Sequence, residues 1–244
     1  AISLPPATPT PVEPLQVTVP GASSDADGDV VQYRMLWLRN GSPVDAWLGK
    51  SSVDAKATRK HEEWRVVVVP FDGEEEGESA SAVVTVLNTP PFAPEIAVEP
   101  APVRVTGPAQ VVIRKPARDA DNDTASYTYN YRINGVALSV PAAMAQLPAS
   151  ALRKHQRVDL AVTAHDDEVA GGIAKLTFEV ANSAPQSPTI AIWPTEPTTS
   201  VPLRLAVTKP ALDADGDVIT LRHRWLRDGL AVEFPPEVPS SATH

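Results

Sequence analysis

An acidic pentapeptide recurs three times at a fixed interval along this chain. It reads Asp25-Ala26-Asp27-Gly28-Asp29, then Asp119-Ala120-Asp121-Asn122-Asp123, then Asp213-Ala214-Asp215-Gly216-Asp217. The copies begin at residues 25, 119 and 213, so successive copies lie 94 residues apart. A constant period of this length indicates tandem copies of one domain rather than a single large fold. The register predicts repeat 1 at residues 1–91, repeat 2 at 92–185 and an incomplete repeat 3 at 186–244.

Apolar and polar residues alternate along the same segments of each repeat. Before the pentapeptide the inward positions are Leu15, Val17 and Val19, then Ala109, Val111 and Ile113, then Leu203, Leu205 and Val207. After it, a large ring recurs as Trp37, Tyr131 or Trp225 and is predicted to anchor the core. About seven segments of period two per repeat, without a long helical period, are typical of a β-sandwich. The predicted fold class is therefore all-β, as tandem immunoglobulin-like β-sandwiches.

The later strands show the same period but are present in two repeats only. Their predicted inward residues are Trp64, Val66 and Val68 in repeat 1, and Val158, Leu160 and Val162 in repeat 2. Repeat 3 has no counterpart of residues 158–182 and so lacks its last two strands. Leu205, Val207 and Trp225 should then form an exposed apolar face, whereas His223 is interpreted as a core histidine. Either the chain continues beyond His244, or a partner donates the missing strands.

The composition excludes several classes of function. The net charge of −9 disfavours nucleic acid and anionic membrane surfaces, and no apolar run approaches the roughly 18 residues of a membrane span. The absence of cysteine rules out a disulfide framework and a thiolate metal site. The first residues lack the basic and apolar regions of a targeting peptide, so the chain is expected to be mature or internal.

Several short motifs together carry a family resemblance that covers the whole chain. They are the acidic pentapeptides, Trp37-Leu38-Arg39-Asn40-Gly41, Trp64-Arg65-Val66, Asp72-Gly73 and Asn88-Thr89-Pro90-Pro91, with their later counterparts. The chain resembles tandem immunoglobulin-like modules, related to the PKD and cadherin-like types, of large bacterial surface or secreted proteins, notably in myxobacteria. The resemblance implies an extracellular or cell-surface location. Some relatives carry a cysteine pair where this chain has Val17 and Val66, or Val111 and Leu160.

The acidic loops are candidate calcium sites. Three carboxylates at alternate positions provide the hard oxygen ligands that Ca²⁺ prefers, and a sandwich places the loop after its second strand near the loop after its sixth. The predicted ligands are Asp25, Asp27, Asp29 and Asp72; Asp119, Asp121, Asp123, Asp166 and Asp167; and Asp213, Asp215 and Asp217. The cadherin resemblance implies that calcium couples the linker at residues 88–94 to the next acidic loop. The alternative interpretation is a solvated turn in which aspartate bonds its own backbone.

The favoured function is a non-catalytic structural or adhesive module, in which stacked sandwiches form an extracellular rod. Its expected partners are neighbouring repeats or other chains of a surface assembly. The alternative is a carbohydrate-binding or accessory domain of a secreted hydrolase, for which Trp47 and Trp193 are the tryptophans without a predicted core position. We expect no enzymatic activity, because the chain has no phosphate-binding loop, nucleophile elbow or paired-histidine motif.

Overall fold

The computed structural model describes residues 2–238, and its regular structure is almost entirely β. The predicted all-β class is confirmed. Two compact units are distinguished by their internal contacts: Ala1–Ile96, Ile113–Asn130 and Ala161–Lys175 form one, and Ala97–Val112, Tyr131–Leu160 and Leu176–His244 form the other. The division passes through the strands of repeat 2. Within residues 2–238, no helix is long and apolar enough to cross a membrane.

Repeat 1 contains six strands and two short 3-10 helices. They are β1 (Leu15–Gln16), β2 (Gln32–Arg39), β3 (Ser42–Pro43), η1 (Asp45–Trp47), β4 (Ser52–Val53), η2 (Ala55–Ala57), β5 (Glu63–Phe71) and β6 (Ala80–Thr85). β1 pairs with β4, and the other strands form an antiparallel sheet in the order β3-β2-β5-β6. Leu15 and Val53 from the small sheet share one buried cluster with Trp37, Trp64 and Val66 from the large one, so repeat 1 is a β-sandwich.

Two tryptophans from neighbouring strands form the centre of this core. Trp37 on β2 and Trp64 on β5 are fully buried, with their ring centroids 6.2 Å apart in an edge-to-face arrangement. Each indole N–H is satisfied, by the Lys50 carbonyl at 2.8 Å and by Glu62 Oε2 at 2.9 Å. Each ring therefore buries a large apolar surface, and its N–H is not left in the core without a hydrogen-bond acceptor. The predicted inward positions of these strands are confirmed.

Repeat 2 contains seven strands and one 3-10 helix. They are β7 (Glu95–Glu99), β8 (Ala109–Lys115), β9 (Ser126–Ile133), β10 (Val136–Ala137), β11 (Gln146–Leu147), η3 (Ala149–Ala151), β12 (Arg157–His165) and β13 (Ala170–Glu179). The sheet orders are β11-β8-β7 and β10-β9-β12-β13, and the second repeats the order of the large sheet of repeat 1. An Asn-Gly turn joins β9 to β10, and its residues Asn134 and Gly135 have φ of 51° and 83°, as such tight hairpin turns require.

Repeat 3 is open on one side. Its strands are β14 (Thr189–Trp193), β15 (Leu203–Lys209), β16 (Trp225–Arg227), β17 (Leu230–Val232) and β18 (Glu237–Val238). They form a sheet in the order β14-β15-β18 and a separate β16-β17 hairpin. Among the described residues no strand pairs with the free edge of β16 in the way that β5 pairs with β2. The result is a groove of about 510 Å³ lined by residues such as Ile190, Leu205, Leu221 and Trp225.

Two predictions for repeat 3 have different outcomes. The predicted exposed apolar face is confirmed at Val207, which is 45% exposed, but not at Leu205 and Trp225, which are half-buried. The interpretation of His223 as a core residue was wrong. This histidine is exposed and outside any strand, and its Nε2 lies 3.1 Å from the Phe234 carbonyl. A side chain at a position predicted to face inward stays exposed when no neighbouring strand is present to pack over it.

Two valines of the large sheet of repeat 1 provide a matched test of this core. We predict that Val66→Ala lowers the free energy of unfolding of repeat 1 by about 2–3 kcal/mol, because it removes two methyl groups from a fully buried site and leaves a cavity. Val83→Ala, at a position 49% exposed, should cost less than about 1 kcal/mol. Urea titration followed by tryptophan fluorescence measures both, and equal losses would contradict the burial assignment.

Candidate repeat-junction site

The first aspartate of each acidic loop closes that loop on itself. Asp119 Oδ1 accepts the backbone N–H groups of Asp121 at 2.7 Å and Asp123 at 3.4 Å. Asp25 and Asp213 accept the corresponding pairs of N–H groups in their own loops, at 2.8 and 3.1 Å and at 2.8 and 3.2 Å. This is the side-chain turn that Asp favours, and it holds the other two aspartates of each loop in a fixed arrangement.

In repeat 2 the remaining aspartates bind the end of repeat 1. The backbone N–H of Thr89 donates to Asp121 Oδ2 at 2.7 Å. The ammonium of Lys60 donates to Asp123 Oδ2 at 2.6 Å and to Asn88 Oδ1 at 3.1 Å. All of these residues belong to the first compact unit. The cation facing this acidic loop is therefore a lysine of the preceding repeat.

A second loop of repeat 2 completes the same contact. Asp166 is buried, and its Oδ2 accepts the Asn88 side-chain amide at 2.9 Å, while its Oδ1 closes its own turn through two backbone N–H groups. Glu168 Oε1 accepts Lys60 Nζ at 2.7 Å and lies 2.9 Å from His61 Nε2. Asp167 is exposed. The Lys60 ammonium thus lies between carboxylates of two different loops.

The charges at this junction stabilise one another. Hydrogen bonds to Asp123 and then Glu168 raise the pKa of Lys60 well above its usual range. The same lysine, followed by His61, lowers the pKa of Glu168. Burial works against the charge of Asp166, but hydrogen bonds from Asn88 and the backbone outweigh it and lower its pKa. All three groups are therefore charged at neutral pH.

Three of the contacts recur one repeat later, with each partner 94 residues further on. Lys154 forms an ion pair with Asp217, and the Ser183 N–H donates to Asp215 Oδ2 at 2.5 Å. Asp217 raises the pKa of Lys154. A backbone bond is repeated as well, from Phe92 N–H to the Arg118 carbonyl at 2.8 Å, and from Gln186 N–H to the Leu212 carbonyl at 2.7 Å. This second set lies within the second compact unit.

The structure brings together only part of the predicted metal-ligand set. Within residues 2–238, oxygens of Asp119, Asp121 and Asp123 lie within 4.8 Å of one another, as do those of Asp213, Asp215 and Asp217. Neither Asp166 nor Asp167 belongs to such a group, and the first loop of the chain forms none. Asp72, predicted to join that first loop, instead closes its own turn by accepting the N–H groups of Glu74 and Glu75 at 2.8 Å.

Four buried oxygens at the two junctions have no hydrogen-bond partner among the described residues. They are Asp119 Oδ2 and Thr89 Oγ1 at the first junction, and Asp215 Oδ1 and Ser183 Oγ at the second. A buried carboxylate oxygen without a donor is unfavourable, and a cation is one group that would satisfy it. The donor set is therefore compatible with Ca²⁺, which binds carboxylates and hydroxyls and accepts water for its remaining positions.

Close packing of the linker requires glycine in repeat 2. The Pro91 carbonyl accepts the Gly172 N–H at 2.7 Å, and a Cβ on Gly172 would lie 2.1 Å from the Ala93 nitrogen. Gly171 has a similar conflict with Pro91. Adjacent glycines inside a strand mark a close approach of another backbone, and this was the available sequence signal.

Lys60 and Lys154 are functional residues of the junctions that were not among the residues predicted from the sequence. The signal was their recurrence one period apart, each before a histidine. His61 and His155 have φ of 68° and 63°, a conformation that non-glycine residues rarely adopt. Each donates its backbone N–H at 2.7 Å to the carbonyl of the residue that directly follows the closing strand, Val86 or Val180. This anchored turn fixes the position from which the lysine reaches the next repeat.

The two tryptophans considered for carbohydrate binding are in different environments. Trp47 lies in η1, packs partly against the core of repeat 1, and has the Lys50 ammonium 4.5 Å from its ring centroid. Trp193, at the end of β14, is 61% exposed. An extended aromatic platform is not visible at either residue within its own unit.

No family model matches this chain, and no curated protein matches it either. Among solved structures, the chain is similar to a segment of two fibronectin type-III domains from chicken tenascin, at 12% identity and a TM-score of 0.40, covering 74% of this chain and 98% of that one. It is also similar to the selenomethionine-substituted chicken interferon gamma receptor alpha chain, at 10% identity and a TM-score of 0.42, covering 74% and 97%. The FN1–FN3 domains of chicken CNTN1 match at 14% identity and a TM-score of 0.30, covering 73% and 66%.

The lowered pKa of Glu168 makes a pH-dependent contribution to stability. Because the folded pKa lies below the unfolded value of about 4.3, the contribution is complete above that pH and is lost as the pH falls through the folded pKa. We predict that Glu168→Gln lowers stability at pH 7 and that its difference from the unmodified chain shrinks as the pH falls below about 4.3. The measurement is a series of urea midpoints against pH.

The matched control is Glu74→Gln, at the equivalent exposed position of repeat 1. Its midpoint should follow that of the unmodified chain at every pH. A difference between Glu168→Gln and the unmodified chain that persisted undiminished at pH 2.5 would show that the carboxylate does not act through its charge.

Proposed function

We propose that this chain is a non-catalytic segment of tandem β-sandwiches that holds successive repeats in a fixed mutual orientation, as a rod in an extracellular or cell-surface structural or adhesive assembly. The observation that carries the proposal is the exact 94-residue repetition of the lysine, backbone N–H and carbonyl contacts at both junctions. A flexible linker would not need specific hydrogen-bond acceptors for its backbone N–H groups. A linker that holds two repeats in a fixed orientation does need them.

The chemistry of the junction suits this function. The Lys60 ammonium bonds two acidic loops of repeat 2 while Asn88 and Thr89 of the linker bond the same loops, so both a side chain and the backbone resist rotation. Charge-assisted hydrogen bonds are the stronger and more directional kind. The prolines that follow, Pro90 and Pro91, restrict the linker further because proline fixes φ.

The proposal includes a calcium ion bound at each of the two aspartate triplets. Asp119, Asp121 and Asp123 would hold one ion and Asp213, Asp215 and Asp217 another, with the unpartnered buried oxygens as ligands. Bound calcium would neutralise the charge that one lysine leaves uncompensated at each triplet.

The open groove of repeat 3 supports a proposal about partners. We propose that it receives an extended strand whose apolar residues alternate as Val158, Leu160 and Val162 do on β12, because β16 occupies the register at which β2 and β9 pair with such a strand. The strand would come from a further part of the same polypeptide or from another chain of the assembly.

The first test concerns orientation at the junction between repeats 1 and 2. The chain has no cysteine, so spin labels can be placed at Val83→Cys and Lys175→Cys, both on exposed strand positions. We predict a narrow distance distribution by double electron–electron resonance, and a distribution at least twice as broad after Lys60→Met, which removes the charge and keeps the length of the side chain. Lys56→Met, at an exposed position in η2, is the control and should leave the distribution unchanged. A broad distribution in the unmodified chain would overturn the proposal.

The second test concerns calcium. We predict that calorimetric titration with CaCl₂ detects two ions per chain, that Asp119→Asn abolishes one of them, and that a chelator lowers the thermal midpoint. Asp45→Asn, outside the acidic loops, should bind as the unmodified chain does. If no binding heat is detected and the chelator leaves the thermal midpoint unchanged, the calcium part of the proposal is wrong. The lysine and backbone contacts would then be the only contacts proposed to fix the orientation.

A further inference from the structure

Repeat 1 presents the same acceptor groups as the acidic end of repeat 2. We call this surface the repeat 1 pole and define it as residues 25–29 and 72–74. Asp72 Oδ1 accepts two backbone N–H groups at 2.8 Å, as Asp166 Oδ1 does at 2.7 and 2.6 Å. Behind the pole, Tyr33 OH accepts the Ser23 N–H at 2.7 Å, as Tyr127 OH accepts the Ala117 N–H at 2.8 Å. The pole is therefore built before any partner binds.

At the two later loops these positions are bound by groups from a preceding repeat. Asp121 and Asp215 accept a backbone N–H, and Asp123 and Asp217 accept a lysine ammonium. The equivalents in repeat 1 are Asp27 and Asp29, and both are exposed. Within residues 2–238 the structure gives neither of them a lysine partner. The equivalent aspartates of the two other copies thus each bind a defined group of the preceding repeat.

One residue distinguishes the repeat 1 pole from that of repeat 2. Glu78 stands where repeat 2 has Gly172, and a Cβ at Gly172 would lie 2.1 Å from the linker backbone. A linker bound to repeat 1 must therefore pass further from this edge than residues 91–93 pass from repeat 2. The acceptors at Asp27, Asp29 and Asp72 are unaffected by that difference.

We propose that the repeat 1 pole is a docking surface for the C-terminal end of another repeat of this same design, which presents a lysine turn and an Asn-Thr or Asn-Ser linker. Charge complementarity supports this occupant, because the pole displays carboxylates at Asp25, Asp27, Asp29, Asp72 and Glu74. A second copy of this chain is not the occupant, since both Lys60 and Lys154 are already bound within the chain. The inference rests on the function proposed above.

The experiment uses a lengthened chain in which residues 1–94 precede the full sequence in register. Spin labels at Val83→Cys of the added repeat and Ser81→Cys of the recipient repeat are equivalent to the Val83 and Lys175 pair of the native junction. We expect a narrow distance distribution at the new junction, broadened at least twofold by Asp27→Asn with Asp29→Asn in the recipient. Glu78→Gly in the recipient should narrow it further. Asp54→Asn, an exposed aspartate outside the pole, is the control.

The native pair in the same lengthened chain separates the possible failures. If the distance distribution at the new junction is as broad as in the double variant while that at the native junction is narrow, this inference is wrong and the proposed function stands. If the distributions at both junctions are broad, the proposed function fails as well. If sedimentation shows that the unlengthened chain dimerises and that Asp29→Asn abolishes the dimer, the occupant is a second copy and the proposal is overturned.

Discussion

The junctions depend on the hydrogen bonds that the first aspartate of each acidic loop accepts from the backbone of its own loop. By accepting two N–H groups of its own loop, Asp119 fixes the backbone and commits one of its oxygens. Asp121 and Asp123 are then held close together with partly buried charge, which is unfavourable without donors. Repeat 1 supplies those donors from Thr89 and Lys60. The same local turn therefore creates both the need for a partner and the geometry that selects one.

The hydrophobic core connects to the junction through the turn that carries the lysine. β5 begins two residues after His61 and buries Trp64 and Val66 against Trp37. His61 bonds the end of the closing strand in turn, so the turn cannot move independently of the sandwich. Val17 and Val66, at the places where some similar modules have a disulfide, both pack in this core. Apolar packing thus sets the position of a charged group that acts on the next repeat.

The sequence predicted the acidic loops as sites but not their partners. Alternating aspartates at a constant period predicted the loops as candidate calcium sites, and the cadherin resemblance placed them beside the linker. The contact with the Lys60 ammonium was not predictable from spacing, because Lys60 and Asp123 are 63 residues apart and their contact depends on the path of the intervening strands. Asp72 and Asp166 illustrate the same limit. Their residue types suited metal binding, yet each uses one oxygen to close its own turn.

The sequence by itself determined the all-β class, the period and the inward faces of the complete repeats, because these depend on local alternation and on a repeat that is visible in one dimension. The tertiary structure decided which charges meet across a junction, where backbone approach demands Gly172, and that His223 is exposed. Those outcomes depend on which strands are present to cover a face and on how distant segments approach one another. The three aspartates of each acidic loop are visible in the sequence. Only the fold shows that the two later loops bind a lysine and a backbone N–H of the preceding repeat.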